Sequence, residues 1–391
     1  MKVNTTKRLD TIKEYYFSRK LKEIAQMQAN GKSIINLGIG SPDLPPPSDV
    51  IKTLSESALD SAANKYQSYI GIPELRSSIS KWYDEKYMVQ LDAQSEILPL
   101  LGSKEGIMHL SMTFLEAGDE VLIPNPGYPT YSAAANLAGA TILEYNLNEK
   151  NKWEPDFHQL EKQDLSKVKM MWVNYPNMPS GTPANPTLFK KLIAFGLKNN
   201  ILICNDNPYS FVRNEKPLSI LSIDGAKECA IELNSLSKSH HMAGWRVGMM
   251  LGKKEFIQSA LKFKSNMDSG MYRPIQEAAI AALNTSDEWH KIQNDIYKKR
   301  ANIATEILKI IGCSVSAYQV GMFVWGKVEG DQFKGNAFEI SDKILNQTGV
   351  FVTPGGIFGS EGNNYLRISL CSPEATFQLA KRLIQNIKRK S

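Results

Sequence analysis

The 391-residue sequence lacks the features that mark secreted, membrane-spanning and nucleic-acid-binding proteins. Its first residues, MKVNTTKRLD, contain no apolar signal-peptide core, and no apolar run approaches the roughly 20 residues of a membrane-spanning helix. The net charge of +6 is spread along the chain without a block of like charges. We therefore expect a cytoplasmic protein that binds neither a membrane nor nucleic acid.

Cysteine is scarce, and its spacing does not match the common cysteine-based metal sites. Because three of the four lie in apolar runs, we expect no metal and four reduced core thiols, namely Cys204, Cys229, Cys313 and Cys371. The remaining composition, 42% hydrophobic and 22% charged, is typical of a globular protein. At this length, one large and one smaller domain are expected.

The order of apolar runs predicts an α/β fold. Residues 8–29 have the pattern of an amphipathic helix that ends at Asn30-Gly31, and a short strand and a proline-rich loop follow. Between about residues 50 and 270, helical stretches alternate with the runs EILPLL, EVLIP, TILEY, VKMMWVNY, ILICND and CAIEL. Continuous apolar runs separated by helices indicate a mostly parallel central sheet that is covered by helices on both faces.

After residue 272 the pattern changes to long helices and the runs MFVWGKV, GVFVT and YLRISL, which predict a smaller α+β domain. We predict three parts. Residues 1–48 form an N-terminal segment that packs with the small domain, residues 49–275 form the large domain, and residues 276–391 form the small C-terminal domain.

Polar residues that follow the apolar runs are candidate ligand-binding residues, because ligands bind beyond the carboxyl ends of parallel strands. Ser103 and Lys104 begin a predicted helix after Gly102 and can hold a phosphate, although a serine-capped turn would look the same. Asp206 ends the run ILICND, and Tyr209 comes three residues later. A carboxylate there can pair with a cationic ring nitrogen or can simply cap a helix.

Two further candidates have equally ordinary alternatives. Tyr128, in NPGYPTY, can stack on a flat ligand or can only pack against its neighbours. Arg367, in NYLRISL, can bind a carboxylate with two hydrogen bonds or can mark a solvated strand end.

The segment NSLSKSHHMAGWRVG carries a more specific signal. Lys238 stands close to Ser235 and Ser237, and Arg246 follows eight residues later. Apolar residues on both sides of this segment make a surface lysine a poor explanation. A lysine that is desolvated beside a bound phosphate can lose its proton and act as a nucleophile.

These motifs together resemble the class I/II aminotransferases, which are fold type I enzymes that use pyridoxal 5′-phosphate. The resemblance covers nearly the whole chain in order, through GIGSPDLP, YQSYIGIPELR, GSKEGI, PNPGYPTY, NYPNMPSGTP, NDNPYS, SLSKSHHMAGWRVG and YLRISL. It implies a large domain with a mostly parallel sheet and a smaller α+β domain.

The resemblance also implies roles for individual residues. Lys238 would hold the cofactor as a Schiff base, Asp206 would pair with its ring nitrogen, Tyr209 would donate to its phenolic oxygen, and Tyr128 would stack on its ring. The phosphate would be bound by Ser103, Lys104, Ser235, Ser237 and Arg246, together with Tyr66 from the partner subunit of a homodimer. The substrate would be bound by Arg367, which holds its carboxylate, and by Gly40, which lines the pocket.

One position departs from the family pattern. Members usually carry an asparagine before Pro-(Thr/Ser)-Gly, and its amide contacts the phenolic oxygen. The segment PNMPSG has Met178 at that place and Asn177 one residue earlier. Asn177 is therefore a candidate cofactor ligand only if the loop shifts by one residue.

The implied function is transfer of an amino group between an L-amino acid and a 2-oxo acid by a ping-pong mechanism. A β-elimination lyase that cleaves a carbon–sulfur bond would use the same motifs, and it would release pyruvate and ammonia without a second oxo acid. A DNA-binding regulator that carries this fold is disfavoured, because only some 40 residues precede the sheet domain and they contain no basic recognition helix.

Overall fold

The structure, a computed structural model, describes residues 3–11, 14, 16–329 and 335–388. The strands are β1 (Ile35–Asn36), β2 (Ile97–Leu100), β3 (Glu120–Asn125), β4 (Thr141–Asn146), β5 (Val168–Val173), β6 (Leu202–Asp206), β7 (Ala230–Ser235), β8 (Gly248–Gly252), β9 (Cys313–Val315), β10 (Phe323–Val328), β11 (Val350–Phe351), β12 (Thr353–Pro354) and β13 (Tyr365–Ser369).

The helices alternate with these strands in the first two thirds of the chain, and the longest of them, with 25 residues, comes afterwards. They are α1 (Tyr16–Ala29), α2 (Ser48–Ala58), α3 (Pro73–Tyr87), α4 (Ser103–Phe114), α5 (Pro129–Ala138), α6 (Phe157–Leu160), α7 (Pro186–Asn199), α8 (Ala226–Cys229), α9 (Leu236–Ser239), α10 (Lys254–Lys264), α11 (Arg273–Leu283), α12 (Asp287–Ile311), α13 (Ala337–Thr348) and α14 (Glu374–Lys388).

A seven-stranded sheet in the order β2-β8-β7-β6-β5-β3-β4 forms the centre of the molecule. Strands β4, β3, β5, β6 and β7 are parallel, whereas β8 is antiparallel to both of its neighbours. The six apolar runs between residues 50 and 270 coincide with β2 to β7 to within two residues at each strand end. Strand β8, the short run GMMLG, was not anticipated.

Alternate side chains of the sheet enter two separate cores. Leu98, Met170 and Trp172 pack against side chains of α4, α5 and α10 on one face. Leu122 and Met171 belong to the larger core, to which α3, α7, α11 and α12 contribute on the other face. Full burial of each large apolar side chain stabilises the fold by roughly 1.5–3 kcal/mol. The predicted α/β class with helices on both faces is confirmed.

A second sheet, in the order β12-β13-β10-β9, is antiparallel throughout and lies in the C-terminal third of the chain. The N-terminal segment joins this part. Strand β1 pairs in parallel with β11, Lys20 of α1 contacts Asp342 of α13 at 2.9 Å, and Tyr16 packs edge-on against Phe338. These contacts agree with the predicted grouping of the N-terminal segment with the small domain, whose boundaries at residues 48 and 275 stay a prediction.

The single helix predicted for residues 8–29 is wrong. A 3₁₀ helix at Lys7–Thr11 and a separate helix α1, which begins at Tyr16, take its place. The reason is packing. Phe17 and Ile24 of α1 are buried, whereas Leu9 is 49% exposed and finds no core to cover. A short helix in water depends on such tertiary burial.

Two further expectations concern the described residues. None of their helices is both long and apolar enough to span a bilayer. The four cysteines are free thiols, and three of them are buried, while Cys371 is half-buried.

A buried ion pair attaches the proline-rich loop after β1 to α12. The guanidinium of Arg300 donates to both carboxylate oxygens of Asp43, at 2.7 and 3.0 Å, and also to the Leu370 carbonyl. The side chain of Arg300 is only 4% exposed, compared with 21% for Asp43. Because this loop contains Gly40, the ion pair helps to position one wall of the cavity described below.

We expect Asp43→Ala to lower the free energy of unfolding by about 3 kcal/mol, because it leaves a buried guanidinium without its charged partner. Urea titration monitored by circular dichroism measures this change. Glu56→Ala is the control, since it breaks an exposed pair with Lys52 at 3.8 Å and should change stability by less than about 1 kcal/mol. Equal losses for the two variants would contradict the structural role of Asp43.

Candidate active site

A cavity of about 820 Å³ lies where β6 and β7 end, between the central sheet, the second sheet and α1. Eleven of the thirteen residues singled out in the sequence line it, namely Gly40, Ser103, Lys104, Tyr128, Asp206, Tyr209, Ser235, Ser237, Lys238, Arg246 and Arg367. The structure does not bring Asn177 or Tyr66 to this cavity. The assigned roles of all thirteen residues stay predictions.

Lys238 reaches the cavity from α9, a single turn that begins directly after β7. Leu236 and Met242 on either side are fully buried and hold this turn against the core. The Lys238 amine donates to the Gly40 carbonyl at 2.6 Å. Burial lowers the pKa of Lys238, and the charges of Arg367 and Arg246 act in the same direction. A lowered pKa favours the neutral amine, which is the nucleophilic form.

Asp206 ends β6 and has one unused oxygen. Its Oδ2 accepts a hydrogen bond from Tyr131 at 2.9 Å, whereas the buried Oδ1 has no hydrogen-bond partner among the described residues. Burial raises the pKa of Asp206 to about 7, although the Tyr131 hydrogen bond acts in the opposite direction. A buried carboxylate with an unsatisfied oxygen is suited to an N–H donor that carries positive charge.

The N-terminus of α4 and the segment after β7 bring basic and hydroxyl side chains to the same cavity. Gly102 has a φ of +88°, and a Cβ at this position would lie 2.1 Å from Nη2 of Arg246, so only glycine admits that side chain. Nη1 and Nη2 of Arg246 donate to the carbonyls of Ala243 and Leu101, at 2.9 and 3.3 Å. With the serine hydroxyls and Lys104 nearby, the free N–H groups of α4 suit a phosphate.

Arg367 of β13 lies at the opposite end of the cavity and is 4% exposed. Its guanidinium carbon is 3.9 Å from the ring centroid of Phe323 and 4.5 Å from that of Phe358. Nη2 donates to the Gly38 carbonyl at 3.0 Å, and Nη1 contacts Sδ of Met178 at 3.3 Å. A planar cation in apolar surroundings is suited to a carboxylate.

Two of the three tyrosines predicted to contact the cofactor, Tyr128 and Tyr209, are neutral phenols at the cavity wall. Tyr128 caps α5 and packs edge-on against Tyr131 at 5.7 Å. Tyr209 packs edge-on against Phe323 at 5.9 Å. Burial raises the pKa of both hydroxyl groups. Each phenol therefore retains its proton and can donate a hydrogen bond.

The loop after β5 presents Met178 to the cavity and turns Asn177 away from it. Nδ2 of Asn177 donates to the Asn174 carbonyl at 3.2 Å, and its Oδ1 accepts from the Ser180 hydroxyl at 2.6 Å. These bonds close the turn and occupy the amide. The geometry thus gives no support to Asn177 as a cofactor ligand.

Tyr66 lies on the outer surface with 92% of its area exposed. It lines a separate surface cavity together with Arg273 and Glu277 of α11. Within one chain it does not reach the main cavity, so its contact with a phosphate in a partner subunit stays a prediction.

Sequence reasoning missed other residues of the cavity wall. Asn174 follows the apolar run of β5 directly, which is the signal that identified Asp206, and its amide donates to the Asp206 carbonyl. Tyr131 is the last residue of NPGYPTY, a segment in which the sequence pattern singled out Tyr128 alone. The side chains that α1, the second sheet and the 3₁₀ helix Gly355–Phe358 contribute have no local signal, namely Phe17, Ser18, Leu21, Phe323 and Phe358.

The raised pKa of Asp206 predicts how stability depends on pH in the cofactor-free protein. In the unfolded chain this carboxyl loses its proton near pH 4, whereas in the fold it does so at about pH 7. Stability that is present below pH 4 is therefore lost as the pH rises to 7. Asp206→Asn removes this loss, so the variant should gain stability over the parent protein between pH 4 and 7, by up to roughly 4 kcal/mol.

Urea unfolding of both cofactor-free proteins at several pH values measures this gain. Asp224→Asn, at an exposed position, is the control and should show a pH-independent difference. A constant difference for Asp206→Asn would mean that the Asp206 carboxylate is ionised throughout this range.

Comparisons with known proteins identify the family of this chain. The family model for aminotransferases of class I and II matches residues 32–383. The LL-diaminopimelate aminotransferase of Dehalococcoides mccartyi strain 195 is 40% identical over 386 residues, which cover 98% of each chain. Substrate-bound BacF from Bacillus subtilis superimposes with a TM-score of 0.93 at 33% identity, over 99% of this chain and 98% of that one.

An aromatic aminotransferase from Pyrococcus horikoshii has a TM-score of 0.85 at 25% identity, over 94% of this chain and 99% of that one. A family match over most of the chain and a full-length relative at 40% identity lead to one conclusion. The protein belongs to the class I and II aminotransferases.

Proposed function

We propose that this aminotransferase holds pyridoxal 5′-phosphate in the 820 Å³ cavity and moves an amino group between an L-amino acid and a 2-oxo acid. The main support is that three groups share this cavity: a buried lysine amine, a carboxylate with an unsatisfied oxygen, and a helix N-terminus with basic side chains. Each matches a different part of the cofactor, namely its aldehyde, its ring nitrogen and its phosphate.

The residues present fit this group well. Oδ1 of Asp206, which has no partner among the described residues, would accept the ring N–H, and the positive charge would lower the pKa of the carboxyl. The first N–H groups of α4, the serine hydroxyls and Arg246 would hold the phosphate. Tyr128 would cover one face of the ring, and Tyr209 would donate to the phenolic oxygen.

When bound, the cofactor supplies an electron sink that acidifies the Cα–H bond of the amino acid. The chain's own residues provide orientation and proton transfer. Arg367 binds the α-carboxylate and fixes the position of Cα, and Nζ of Lys238 takes the Cα proton as a general base. In the second half-reaction, Nζ of Lys238 returns a proton to Cα. The lowered pKa of Lys238 keeps its amine neutral, so that Nζ can accept the Cα proton in the first half-reaction.

The quaternary arrangement and the location are part of the same proposal. A homodimer would bring the exposed Tyr66 of one subunit to the phosphate in the other, and this would explain why an aromatic side chain stands 92% exposed. With domain boundaries at residues 48 and 275, the seven-stranded sheet would belong to the large domain and the four-stranded sheet to the small domain, which the N-terminal segment joins through β1. Free cysteines support a cytoplasmic location.

We expect borohydride reduction of the cofactor-loaded protein, followed by peptide mass spectrometry, to place the cofactor on Lys238. Lys238→Ala should lose this covalent label and at least about 1,000-fold in turnover, because it removes both the attachment point and the base. Lys52→Ala, at an exposed side chain, is the control and should retain both.

A label on another lysine would contradict the site assignment. A single addition of amino acid should release one equivalent of 2-oxo acid per site. Continuous release of pyruvate and ammonia without an added oxo acid would instead identify a β-elimination lyase.

Met178 should alter the electronic state of the bound cofactor. A thioether has no proton to donate, so the phenolic oxygen lacks the donor that an amide would provide at this place. We expect Met178→Asn to lower the pKa seen in the visible absorbance of the bound cofactor by at most roughly one unit, since one net hydrogen bond contributes about 0.5–1.5 kcal/mol.

The matched control is Asn177→Ala, because the Asn177 amide is occupied within the turn. This variant should leave the absorbance titration unchanged. A shift in Asn177→Ala without a shift in Met178→Asn would mean that the loop slides by one residue when the cofactor binds.

A further inference from the structure

Apolar side chains surround the substrate end of the cavity. Phe323, Phe358 and Phe17 place their ring centroids 3.9, 4.5 and 5.8 Å from the guanidinium carbon of Arg367. Leu21, one turn after Phe17 on α1, and Ile39 also line the cavity. We call these residues the apolar wall: Phe17, Leu21, Ile39, Phe323 and Phe358.

The apolar wall lies beside the position that the substrate's Cα must occupy. Nζ of Lys238 donates to the Gly40 carbonyl at 2.6 Å. A Cβ on Gly40 would lie 2.5 Å from the Phe323 ring, and that ring in turn covers the Arg367 guanidinium. An amino acid that gives its carboxylate to Arg367 and its Cα hydrogen to Lys238 therefore directs its side chain along this wall.

In the described part of this chain, the charged side chains of the cavity offer a second ammonium group no counter-charge beside the apolar wall. Among the described residues, the charged side chains that line it are Lys104, Asp206, Lys238, Arg246 and Arg367. Asp206 is the only carboxylate of this set, and in the proposed function it pairs with the ring nitrogen of the cofactor.

Ser18, which lines the cavity together with Leu21 of α1, contacts one further carboxylate, that of Glu14. Glu14, which Ser18 connects to the mouth, already accepts hydrogen bonds from Ser18 at 3.2 Å and from Lys22 at 2.8 Å. A substrate ammonium at the apolar wall would lose water without gaining a counter-charge.

We propose that the amino acid substrate of this enzyme carries a neutral, apolar side chain, and that Leu21 of α1 helps to determine this specificity. The proposal rests on the proposed function and names the substrate class of the same site. It separates this chain from its Dehalococcoides relative, which is named for LL-diaminopimelate. That compound carries a second ammonium and a second carboxylate at its far end, and the apolar wall offers neither a partner.

Binding of unreactive carboxylates tests the wall without turnover. Isothermal titration calorimetry on the cofactor-loaded protein compares 3-phenylpropanoate and 4-methylpentanoate with 6-aminohexanoate and heptanedioate. We expect the two apolar ligands to bind at least about tenfold more tightly, since a single methylene in an apolar pocket already changes recognition by roughly tenfold or more. Equal or tighter binding of the charged ligands would overturn the proposal.

The first half-reaction tests the same preference with amino donors. Each donor is mixed with the loaded enzyme without an oxo acid, and the decay of its visible absorbance gives kcat/KM. L-Phenylalanine or L-leucine should exceed LL-diaminopimelate and L-lysine by about tenfold or more, and the reverse order would refute the proposal. If no donor reacts, the proposed function fails, while the calorimetric ranking still decides the character of the wall.

A substitution at Leu21 tests whether α1 faces the substrate side chain. Leu21 is 40% exposed, so Leu21→Glu places a carboxylate at the mouth without creating a buried charge. We expect the ratio of kcat/KM for L-lysine to that for L-phenylalanine to rise about tenfold. Leu379→Glu on α14, at a leucine that is 43% exposed and does not line the cavity, is the matched control and should leave the ratio unchanged. An unchanged ratio in Leu21→Glu would remove α1 from the specificity site.

Discussion

The burial of the Lys238 amine is the constraint on which the rest of the site depends. Away from water the pKa of Lys238 falls, and the neutral amine becomes available as nucleophile and base. A buried amine needs an acceptor, and the Gly40 carbonyl provides it at 2.6 Å. The loop that carries Gly40 is held in turn by the ion pair between Asp43 and Arg300, two residues 257 positions apart in the chain. Catalytic geometry therefore depends on long-range packing of the N-terminal segment.

The same cavity combines four basic side chains with one carboxylate. Such an excess of positive charge around one cavity is unfavourable by itself, and the ligands proposed above would balance it with a phosphate at one end and a carboxylate at the other. The carboxylate of Asp206 has the opposite requirement, because burial raises its pKa to about 7 and its Oδ1 lacks a partner among the described residues. A ligand with anionic ends and a cationic ring nitrogen satisfies both demands together.

The sequence predicts those parts of the structure that depend on local pattern. Continuous apolar runs identify β2 to β7, and a polar residue at the end of a strand, as in Asp206, marks the ligand edge because parallel strands end together. The apolar wall could not be predicted in this way. Phe17 and Phe323 are 306 positions apart, and each has the pattern of an ordinary core residue. The helix expected for residues 8–29 failed for a related reason, since only its second part finds a core to cover.

The departure at Met178 and the apolar wall meet at Arg367. Sδ of Met178 lies 3.3 Å from Nη1 of Arg367, at a place where the family pattern has an amide. A thioether accepts hydrogen bonds only weakly, so it competes less than an amide oxygen for the guanidinium that we propose binds a carboxylate. Together with the aromatic rings of the wall it lowers the local dielectric, which strengthens the attraction between guanidinium and carboxylate. Both features make the surroundings of Arg367 less polar, and this favours the proposed role of its guanidinium in orienting the amino acid.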